Sequence, residues 1–328
     1  MRGRLTMDLD RRAFLGLAAA GVTGCVRDPL PLVGRSGAAV IDPHVAVFVA
    51  DVHVPLPWSE QKYRTGREYP WIVDAIKRHV AEILAMNPLP AHVFCLGDVS
   101  IAFSEEKEYE IAAQLFKPIE DAGIKIVMTV GNHDLREPFR HYFSRWIGAS
   151  PVDGRICSVT SLPDCDIVLL DSLVEPPPTH RGKYEALTKC ALGDAQLVWA
   201  KDYAARATRP TLFAAHHSAQ ALGIEKHFAR APQVFGFLHG HHHRWINAYL
   251  RDGYRTDKMV RSLGLPSFGI DNDIGYAVAR TAPDGVTVTF VERDFFFPEK
   301  PTTDRRYPLW RDIIRDNDGR VVRFPFVK

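Results

Sequence analysis

The sequence predicts an α/β protein in which helices bury the faces of β-sheets. From about Ile41 onward, short aliphatic runs alternate with helical patterns, which is the element order of that class. Most of these runs also end in histidine, aspartate or asparagine. The 328 residues are 46% hydrophobic and 24% charged, which are ordinary values for one large globular domain or two modest ones. The formal net charge is only +2, with acidic and basic residues interspersed, so we expect small-molecule chemistry and no nucleic-acid partner.

Six runs have the content and length of strands. They read VAVFVADVH, HVFCLGD, IKIVMTVGN, DIVLLDS, PTLFAAHH and QVFGFLHGH in chain order. Between the first two, apolar residues over 72–84 recur at helical spacing, and Asn87 and Pro88 end the helix. Between the second and third, residues 111–116 indicate a helix that is interrupted or kinked near Pro118 and closed by Gly123. The segment DAQLVWAKDYAARA predicts a further helix, and VTVTFVERDF predicts a strand after the histidine-rich run.

The first 26 residues resemble an export signal rather than part of the fold. Arg11 and Arg12 precede an apolar stretch that ends at Val26 and is too short to span a bilayer as a helix. The arginine pair resembles a twin-arginine signal, and VTGC at 22–25 resembles a lipobox whose Cys25 would be lipidated. The alternative is a frayed helical N-terminus. We therefore expect a signal segment over 1–26 and a protein on the periplasmic side of the cell envelope, in contact with the membrane through its lipid.

The cysteines leave two alternatives open. An oxidising envelope would permit a disulfide. The stretch RICSVTSLPDCDIVLL reads as two short strands around a Pro-Asp turn. We expect either a disulfide between Cys157 and Cys165 or free thiols throughout.

Five of the six runs end in side chains that bind metal ions. These are Asp51 and His53 after the first run, Asp98 after the second, Asn132, His133 and Asp134 after the third, His216 and His217 after the fifth, and His241 and His243 after the sixth. Open α/β sheets collect their chemistry at the carboxyl ends of strands, so we expect this set to converge. In an extended chain, residues two apart project to the same face, which would bring Asp51 beside His53.

The ligand types indicate a pair of transition-metal ions. Carboxylate, amide and imidazole groups together suit manganese, iron or zinc. The set contains no thiolate, so a structural zinc site is not expected. It has too many ligands for one ion, whereas two divalent ions roughly 3.5–4 Å apart that share one carboxylate would use all of them.

These motifs resemble those of the calcineurin-like metallophosphoesterase family. DVH at 51–53, GD at 97–98, GNHD at 131–134, HH at 216–217 and GHHH at 240–243 occur in the family's order and approximate spacing. The resemblance implies a four-layer sandwich of two mixed β-sheets flanked by α-helices. The catalytic domain would then occupy 41–297, after a linker over 27–40 and before a C-terminal extension over 298–328 that packs on the domain.

The resemblance also implies a role for each motif residue. Asp51, His53 and His243 would hold the first metal ion. Asn132, His216 and His241 would hold the second, and Asp98 would bridge the two ions. His133 would lie outside the metal shell near the substrate phosphate, and Asp134 would hydrogen-bond it to fix its orientation. His216 is favoured over His217 as a ligand, while His239 and His242 would support the site or the fold without ligating.

Charge balance favours a phosphodiester substrate. Two divalent ions bring four positive charges, of which Asp51, Asp98 and a hydroxide ion would cancel three. The centre would attract the monoanion of a small-molecule phosphodiester, whose phosphorus the metal-activated hydroxide would attack. His133, when protonated, would either give its proton to the leaving oxygen or stabilise the charge of the transition state. The alternatives are a phosphomonoesterase at the same site and an envelope protein that binds phosphate or metal without turnover.

One stretch indicates a branch of the family. GNHDLREPFRHYF resembles the cyclic-nucleotide and glycerophosphodiester branch, in which a helix carrying aromatic residues follows the asparagine–histidine motif. Arg136 within it either reaches a phosphate oxygen or forms a surface salt bridge. His180, Arg181 and Lys183 lie in a long polar loop that is either solvated or contacts the substrate.

Overall fold

A computed structural model describes residues 39–56, 70–101, 104–176, 189–250, 259–270, 273–293 and 319–326. All of them belong to the compact unit Ser36–Lys328. The predicted signal over 1–26, with its lipidation site Cys25, lies outside the described residues, as do the loop residues His180, Arg181 and Lys183.

Within the described residues, the fold contains two β-sheets of six strands each. The first sheet consists, in spatial order, of β12 (Val321–Pro325), β11 (Gly285–Glu292), β10 (Gly275–Ala282), β1 (Ile41–Val49), β2 (Leu89–Cys95) and β3 (Lys125–Met128). The second consists of β4 (Ser158–Ser161), β5 (Asp166–Leu170), β6 (Thr211–Ala215), β7 (Val234–His239), β9 (Arg261–Gly264) and β8 (Ile246–Tyr249). All six runs that the sequence marks as strands are strands in these sheets.

Both sheets are mixed. Strands β1, β2 and β3 are parallel, and so are β5, β6, β7 and β9. Strands β10, β11 and β12 add to the first sheet in antiparallel pairs, and β4 and β8 do the same at the edges of the second. The parallel strands therefore deliver their carboxyl ends to one edge of each sheet.

The described helices cover the sheets. They are α1 (Pro70–Ala85), α2 (Glu106–Asp121), α3 (Arg136–Phe143), α4 (Asp194–Arg206) and α5 (Glu225–Arg230). Helices α1 and α2 pack against β2 and β3 of the first sheet, while α4 and α5 contribute Ala200 and Phe228 to a core cluster with the second sheet. Two mixed β-sheets with flanking helices confirm the predicted fold class. No helix in the described part of the chain has the length and apolar character of a membrane span.

The main core lies between the two sheets. Phe48 of β1 stacks on Phe94 of β2 with ring centroids 4.9 Å apart, and both join a cluster with Leu212 from the second sheet. The neighbouring Phe213 belongs instead to the cluster under the helices, as the alternation of side chains along a strand requires. Both faces of β6 are thus buried, which explains why its sequence is a continuous apolar run.

The first sheet includes part of the C-terminal segment. Strand β12 pairs with β11, and its Phe324 is buried in the core between the sheets. Residues 298–318 of the extension lie outside the described part of the chain, so the domain boundaries stay predictions.

The structure contradicts the predicted interruption of the helix at Pro118, and of the two alternatives for the cysteines it confirms the free thiols. Helix α2 runs unbroken through Pro118 to Asp121, because a proline in the last turn costs the helix only one of its hydrogen bonds. The four cysteines at 95, 157, 165 and 190 are free thiols. Strands β4 and β5 do pair around the predicted turn, but Ser158 pairs with Leu169 and Ser161 pairs with Asp166. Cys157 and Cys165 therefore stand at opposite ends of the hairpin, too far apart for a disulfide.

Candidate metal centre

The motif residues follow five parallel strands at the point where each strand ends. Asp51 and His53 follow β1, Asp98 follows β2, Asn132 and His133 follow β3, His216 follows β6, and His241 and His243 follow β7. Strands β1 to β3 belong to one sheet, and β6 and β7 belong to the other. The structure brings the aspartates and histidines of this set together, with His217, in four overlapping groups whose potential ligand atoms lie within 4.8 Å of one another. Asn132 joins them through Oδ1, which lies 3.0 Å from His216 Nε2.

The backbone at these positions is not extended. Five of the motif residues have positive φ angles: Asp51 (55°), His53 (49°), Asp98 (51°), His241 (68°) and His243 (51°). The left-handed conformation is costly for residues with a side chain and clusters at functional sites. The convergence of Asp51 with His53 was expected from an extended chain, and that reason is wrong. Asp51 and His53 share a cluster although both are in the left-handed conformation rather than the extended one, and His241 and His243, also left-handed, belong to different clusters.

The first cluster contains Asp51, His53 and His243. The Nε2 atom of His243 lies 3.2 Å from Asp51 Oδ1 and 3.2 Å from His53 Nε2. In the tautomer that donates, the Nδ1–H of His53 bonds to the carbonyl oxygen of Ser100 at 3.2 Å. Its Nε2 lone pair then faces the cluster.

The second cluster is built around His216. Its Nε2 atom lies 3.0 Å from Asn132 Oδ1 and 3.1 Å from Asp98 Oδ2. Its Nδ1–H donates to the carbonyl oxygen of Leu96 at 3.1 Å. The ring of His241 lies beside it, with centroids 5.3 Å apart.

Asp98 lies between the clusters. Its Oδ2 atom is 3.1 Å from His216 Nε2 and 3.7 Å from His53 Nε2, while its Oδ1 accepts the backbone N–H of His133 at 2.8 Å. One carboxylate oxygen thus faces a histidine of each cluster. This is the position that a shared ligand requires.

The donor chemistry fits two divalent cations. The lone pair of a neutral imidazole nitrogen repels a carboxylate or amide oxygen that faces it. A cation between the two groups removes this repulsion. Burial lowers the pKa of His53 to about 3, which keeps the ring in the neutral form that binds metals. At His216, burial also lowers the pKa, but the carboxylates of Asp98 and Asp51 outweigh it and raise the pKa to about 9. Positive charge is therefore attracted to the centre of the cluster.

His133 lies beside the first cluster, with a ring nitrogen within 4.8 Å of ligand atoms of His53 and Asp98, and Asp134 forms no hydrogen bond with its ring among the described residues. The Nδ1 atom of His133 bonds to the carbonyl oxygen of Ile101 at 2.9 Å, and its ring meets that of His53 edge-on, 4.9 Å between centroids. The carboxylate of Asp134 accepts instead from the backbone N–H groups of Gly131 (2.9 Å) and Val99 (3.1 Å). The predicted Asp134–His133 hydrogen bond is wrong. Asp134 fastens the GNHD turn to the loop that follows Asp98.

The other histidines differ in their surroundings. His217 is buried beside His241, with centroids 4.5 Å apart, and its Nδ1 shares a hydrogen bond of 2.8 Å with Ser172 Oγ. Its Nε2 has no hydrogen-bond partner among the described residues, so the structure brings His217 as well as His216 to the second cluster. His239 bonds to the carbonyl oxygen of its neighbour Gly240 at 3.0 Å, and His242 is exposed.

Arg136 forms a partly buried salt bridge. Its Nε and Nη2 atoms donate to the two oxygens of Asp171 at 2.7 and 2.8 Å. Asp171 is fully buried and also accepts the backbone N–H groups of Ile156 and Leu173. Of the alternatives for Arg136, the structure shows a salt bridge, in which Asp171 is buried and Arg136 is partly exposed.

Sequence reasoning did not identify several polar residues that support the motif loops. Tyr109 of α2 donates to Asp134 Oδ1 at 3.0 Å, and Ser172 holds His217. Tyr109 lies within an ordinary helical pattern, which carries no signal of such a role. Ser172 ends the strand-like run DIVLLDS, and its position at the carboxyl end of a parallel strand was the available signal.

The chain is an α/β protein whose clustered aspartates and histidines are candidate ligands for two metal ions. A family model described as calcineurin-like phosphoesterase matches residues 45–245. The chain belongs to the calcineurin-like phosphoesterase family, whose chemistry is metal-dependent hydrolysis of phosphoesters. No curated protein matches the chain.

Solved structures with related folds have low sequence identity to this chain. A structure of PhoD has a TM-score of 0.49 and 12% identity, over 80% of this chain and 69% of that one. The sulfate thiohydrolase SoxB of Thermus thermophilus, solved with glycerol, has a TM-score of 0.43 and 13% identity, over 76% and 56%. Vps29 of Chaetomium thermophilum has a TM-score of 0.36 and 10% identity, over 87% and 97%.

Proposed function

We propose that this chain is a dinuclear metal-dependent phosphodiesterase that hydrolyses small-molecule phosphodiesters. The observation that carries the proposal is the position of Asp98, whose single Oδ2 atom faces His53 and His216 from the two clusters. Manganese, iron and zinc suit the mixture of carboxylate, amide and imidazole donors.

Each residue has a defined task in this proposal. Asp51, His53 and His243 hold one ion, Asn132, His216 and His241 hold the other, and Asp98 is shared. When bound, such ions supply an activated water nucleophile and neutralise charge on the phosphate. The Ile101 carbonyl holds Nδ1 of His133, so Nε2 is free to deliver a proton to the leaving oxygen.

Charge supports a diester over a monoester. A phosphomonoester carries up to two negative charges, and its recognition is helped by an arginine that binds phosphate oxygens in a bidentate manner. Arg136 lies two residues after the GNHD motif, but its guanidinium donates to Asp171 and to the carbonyl oxygen of Leu173 and lies 3.7 Å from Glu175 Oε2. Its charge is therefore balanced by carboxylates of the protein and is not offered to a dianion. A diester monoanion needs no such charge.

The test compares two synthetic substrates. We expect the manganese-loaded protein to hydrolyse bis-p-nitrophenyl phosphate with a higher kcat/KM than p-nitrophenyl phosphate, and Asp98→Ala to abolish both activities. Asp121→Ala is the matched control, because its carboxylate is exposed and, within the described part of the chain, pairs only with Lys117 one helical turn away. A higher kcat/KM for the monoester would refute the diester assignment. Metal binding without release of nitrophenol from either substrate would favour a non-catalytic binding protein.

We also propose that the substrates belong to the cyclic-nucleotide and glycerophosphodiester classes. The support is the helix α3, which follows the GNHD motif as in that branch. Its Phe139 and Phe143 are buried against Tyr109, so they shape the floor of the loop and do not contact the substrate. A panel of cyclic nucleotides, glycerophosphodiesters, phospholipid headgroups and monoesters tests this, and exclusive turnover of monoesters would exclude it.

Export with a lipid anchor is a separate proposal that rests on the sequence. The arginine pair and VTGC support it. We expect Cys25→Ala to release the protein from the membrane fraction and Arg11→Lys with Arg12→Lys to keep it in the cytoplasm. Unchanged fractionation of both variants would contradict the proposal.

A further inference from the structure

Two consecutive carbonyl groups orient two histidines of the centre. The carbonyl oxygen of Ser100 accepts Nδ1–H of His53 at 3.2 Å, and that of the next residue, Ile101, accepts Nδ1–H of His133 at 2.9 Å. A carbonyl that binds Nδ1–H fixes both the tautomer and the direction of Nε2. The position of the Ser100–Ile101 segment therefore determines where both Nε2 atoms point.

The side chain of Ser100 anchors this segment. Its Oγ–H donates to Glu108 Oε2 at 2.5 Å. The Ser100 Oγ atom also accepts the backbone N–H of Ser104 at 2.8 Å. The backbone N–H of Ser100 donates to Asp134 Oδ1 at 3.3 Å. The segment is thus bound on one side by the GNHD turn and on the other by helix α2.

Glu108 is an unusual partner for a serine hydroxyl. It lies in the first turn of α2 and also accepts the backbone N–H of Glu105 at 3.1 Å, as one half of a capping box. A capping-box glutamate is ordinarily at the surface, whereas Glu108 is 0% exposed. Burial raises its pKa to about 8, so the carboxyl is largely uncharged at neutral pH. A cap alone does not require this burial, which is costly for a carboxyl group.

We propose that Glu108 is a positioning residue, which acts through the Ser100 hydroxyl to hold the carbonyl groups that orient His53 and His133. The proposal deepens the proposed function and rests on it for the roles of the two histidines. It does not involve contact between Glu108 and the substrate or the metal ions.

The experiment compares four variants of the full chain. Ser100→Ala and Glu108→Leu each remove the Ser100–Glu108 hydrogen bond. Glu108→Gln keeps an acceptor oxygen of the same shape. Glu105→Ala is the control for capping, because it removes the other half of the capping box and leaves Ser100 and Glu108 in place. Manganese binding is measured by titration calorimetry, and kcat and KM are measured separately with bis-p-nitrophenyl phosphate.

We expect Ser100→Ala and Glu108→Leu to weaken manganese binding and lower kcat by about 10–100-fold, the size usual for outer-shell partners of metal ligands. KM should change little. Glu108→Gln should restore both quantities, and Glu105→Ala should lower only the melting temperature. The double variant Ser100→Ala/Glu108→Leu should be no worse than the poorer single variant, because both changes remove one bond.

Two outcomes overturn the proposal. One is unchanged manganese binding and kcat in Ser100→Ala, which decides the matter even if Glu108→Leu fails to fold. The other is an equal loss in Glu105→Ala, which would show that capping accounts for the effect. If the unchanged protein has no esterase activity, the proposed function fails, but the manganese titrations still test the role of Glu108.

Discussion

The close approach of Gly131 to Asp98 gives a prediction whose size follows from the structure. A Cβ atom added at Gly131 would lie 2.1 Å from Asp98 Oδ1 and 2.6 Å from the backbone nitrogen of Asp98. Gly131 does not have a positive φ angle, so alanine brings no backbone strain and only this clash. Unstrained carbon–oxygen contacts lie at about 3.3–3.6 Å. The carboxylate of Asp98 or the loop that carries it must therefore move by about 1 Å.

A displacement of this size at the shared ligand should be severe for turnover. A misplacement of about 1 Å can cost on the order of 100-fold in rate. We expect Gly131→Ala to lower kcat/KM for bis-p-nitrophenyl phosphate about 100-fold and to reduce bound manganese below that of the unchanged protein, as measured by elemental analysis.

Gly319→Ala is the matched control. Gly319 has φ 75°, and a Cβ atom there would have no neighbour within 4 Å. That variant should lose about 1–2 kcal/mol of stability through backbone strain and keep its turnover. Unchanged turnover and manganese content in Gly131→Ala would show that the placement of Asp98 does not control the reaction, and would refute the reasoning.

Three further predictions follow from the site and its surroundings. His133→Ala should lower kcat by about 10²–10⁴-fold, the usual contribution of a general acid, with unchanged manganese content; equal loss of metal would contradict its role as a proton donor. Arg136→Ala should lower the free energy of unfolding in urea by about 3 kcal/mol, because it leaves buried Asp171 without its main partner, whereas Lys117→Ala, at an exposed pair, should cost less than about 1 kcal/mol. Burial lowers the pKa of His79 to about 3, so the His79 imidazole binds a proton more tightly in the unfolded chain than in the folded one. The free energy of unfolding should therefore fall as the pH drops below about 6.5. At pH 4.5 the loss should reach about 3 kcal/mol, and a His79→Gln variant with the same loss between pH 7 and 4.5 would contradict this origin.

The sequence was sufficient for the class of the fold because long buried strands carry a strong signal. The continuous apolar runs that became β6 and β7 have the length and composition of strands buried on both faces. The four-residue strands β8 and β9 are too short to show a period and were not foreseen, whereas the equally short β4 was foreseen because the Pro-Asp turn joins it to β5. The division into two mixed sheets came from the family resemblance, since strand partners far apart in the chain leave no local pattern.

The candidate ligands were accessible from the sequence because they share one location, the end of a parallel strand. Their supporting contacts were not accessible, because these join loops from different strands. Asp134 illustrates the difference. Its neighbour His133 suggested a local hydrogen bond, but its carboxylate is aimed at the backbone of the loop that follows Asp98. The backbone N–H groups of Val99 and Ser100 in that loop need acceptors, because buried N–H groups are costly when unpaired. A buried carboxylate can accept from both of them.

The left-handed conformation costs of order 1–2 kcal/mol per residue. At the first cluster, backbone hydrogen bonds offset this cost. The N–H of Asp51 donates to the carbonyl oxygen of Gly97 (3.0 Å), and the N–H of His53 donates to that of Asp98 (2.9 Å). The carbonyl oxygen of Asp51 accepts Ser267 Oγ–H at 2.8 Å. The pairing of β1 with β2 thus continues past the end of both strands, through the ligand residues themselves. These contacts join protein groups at Asp51, His53 and Asp98 themselves, so the hydrogen bonds that offset the backbone cost lie at the candidate ligands and not elsewhere in the fold.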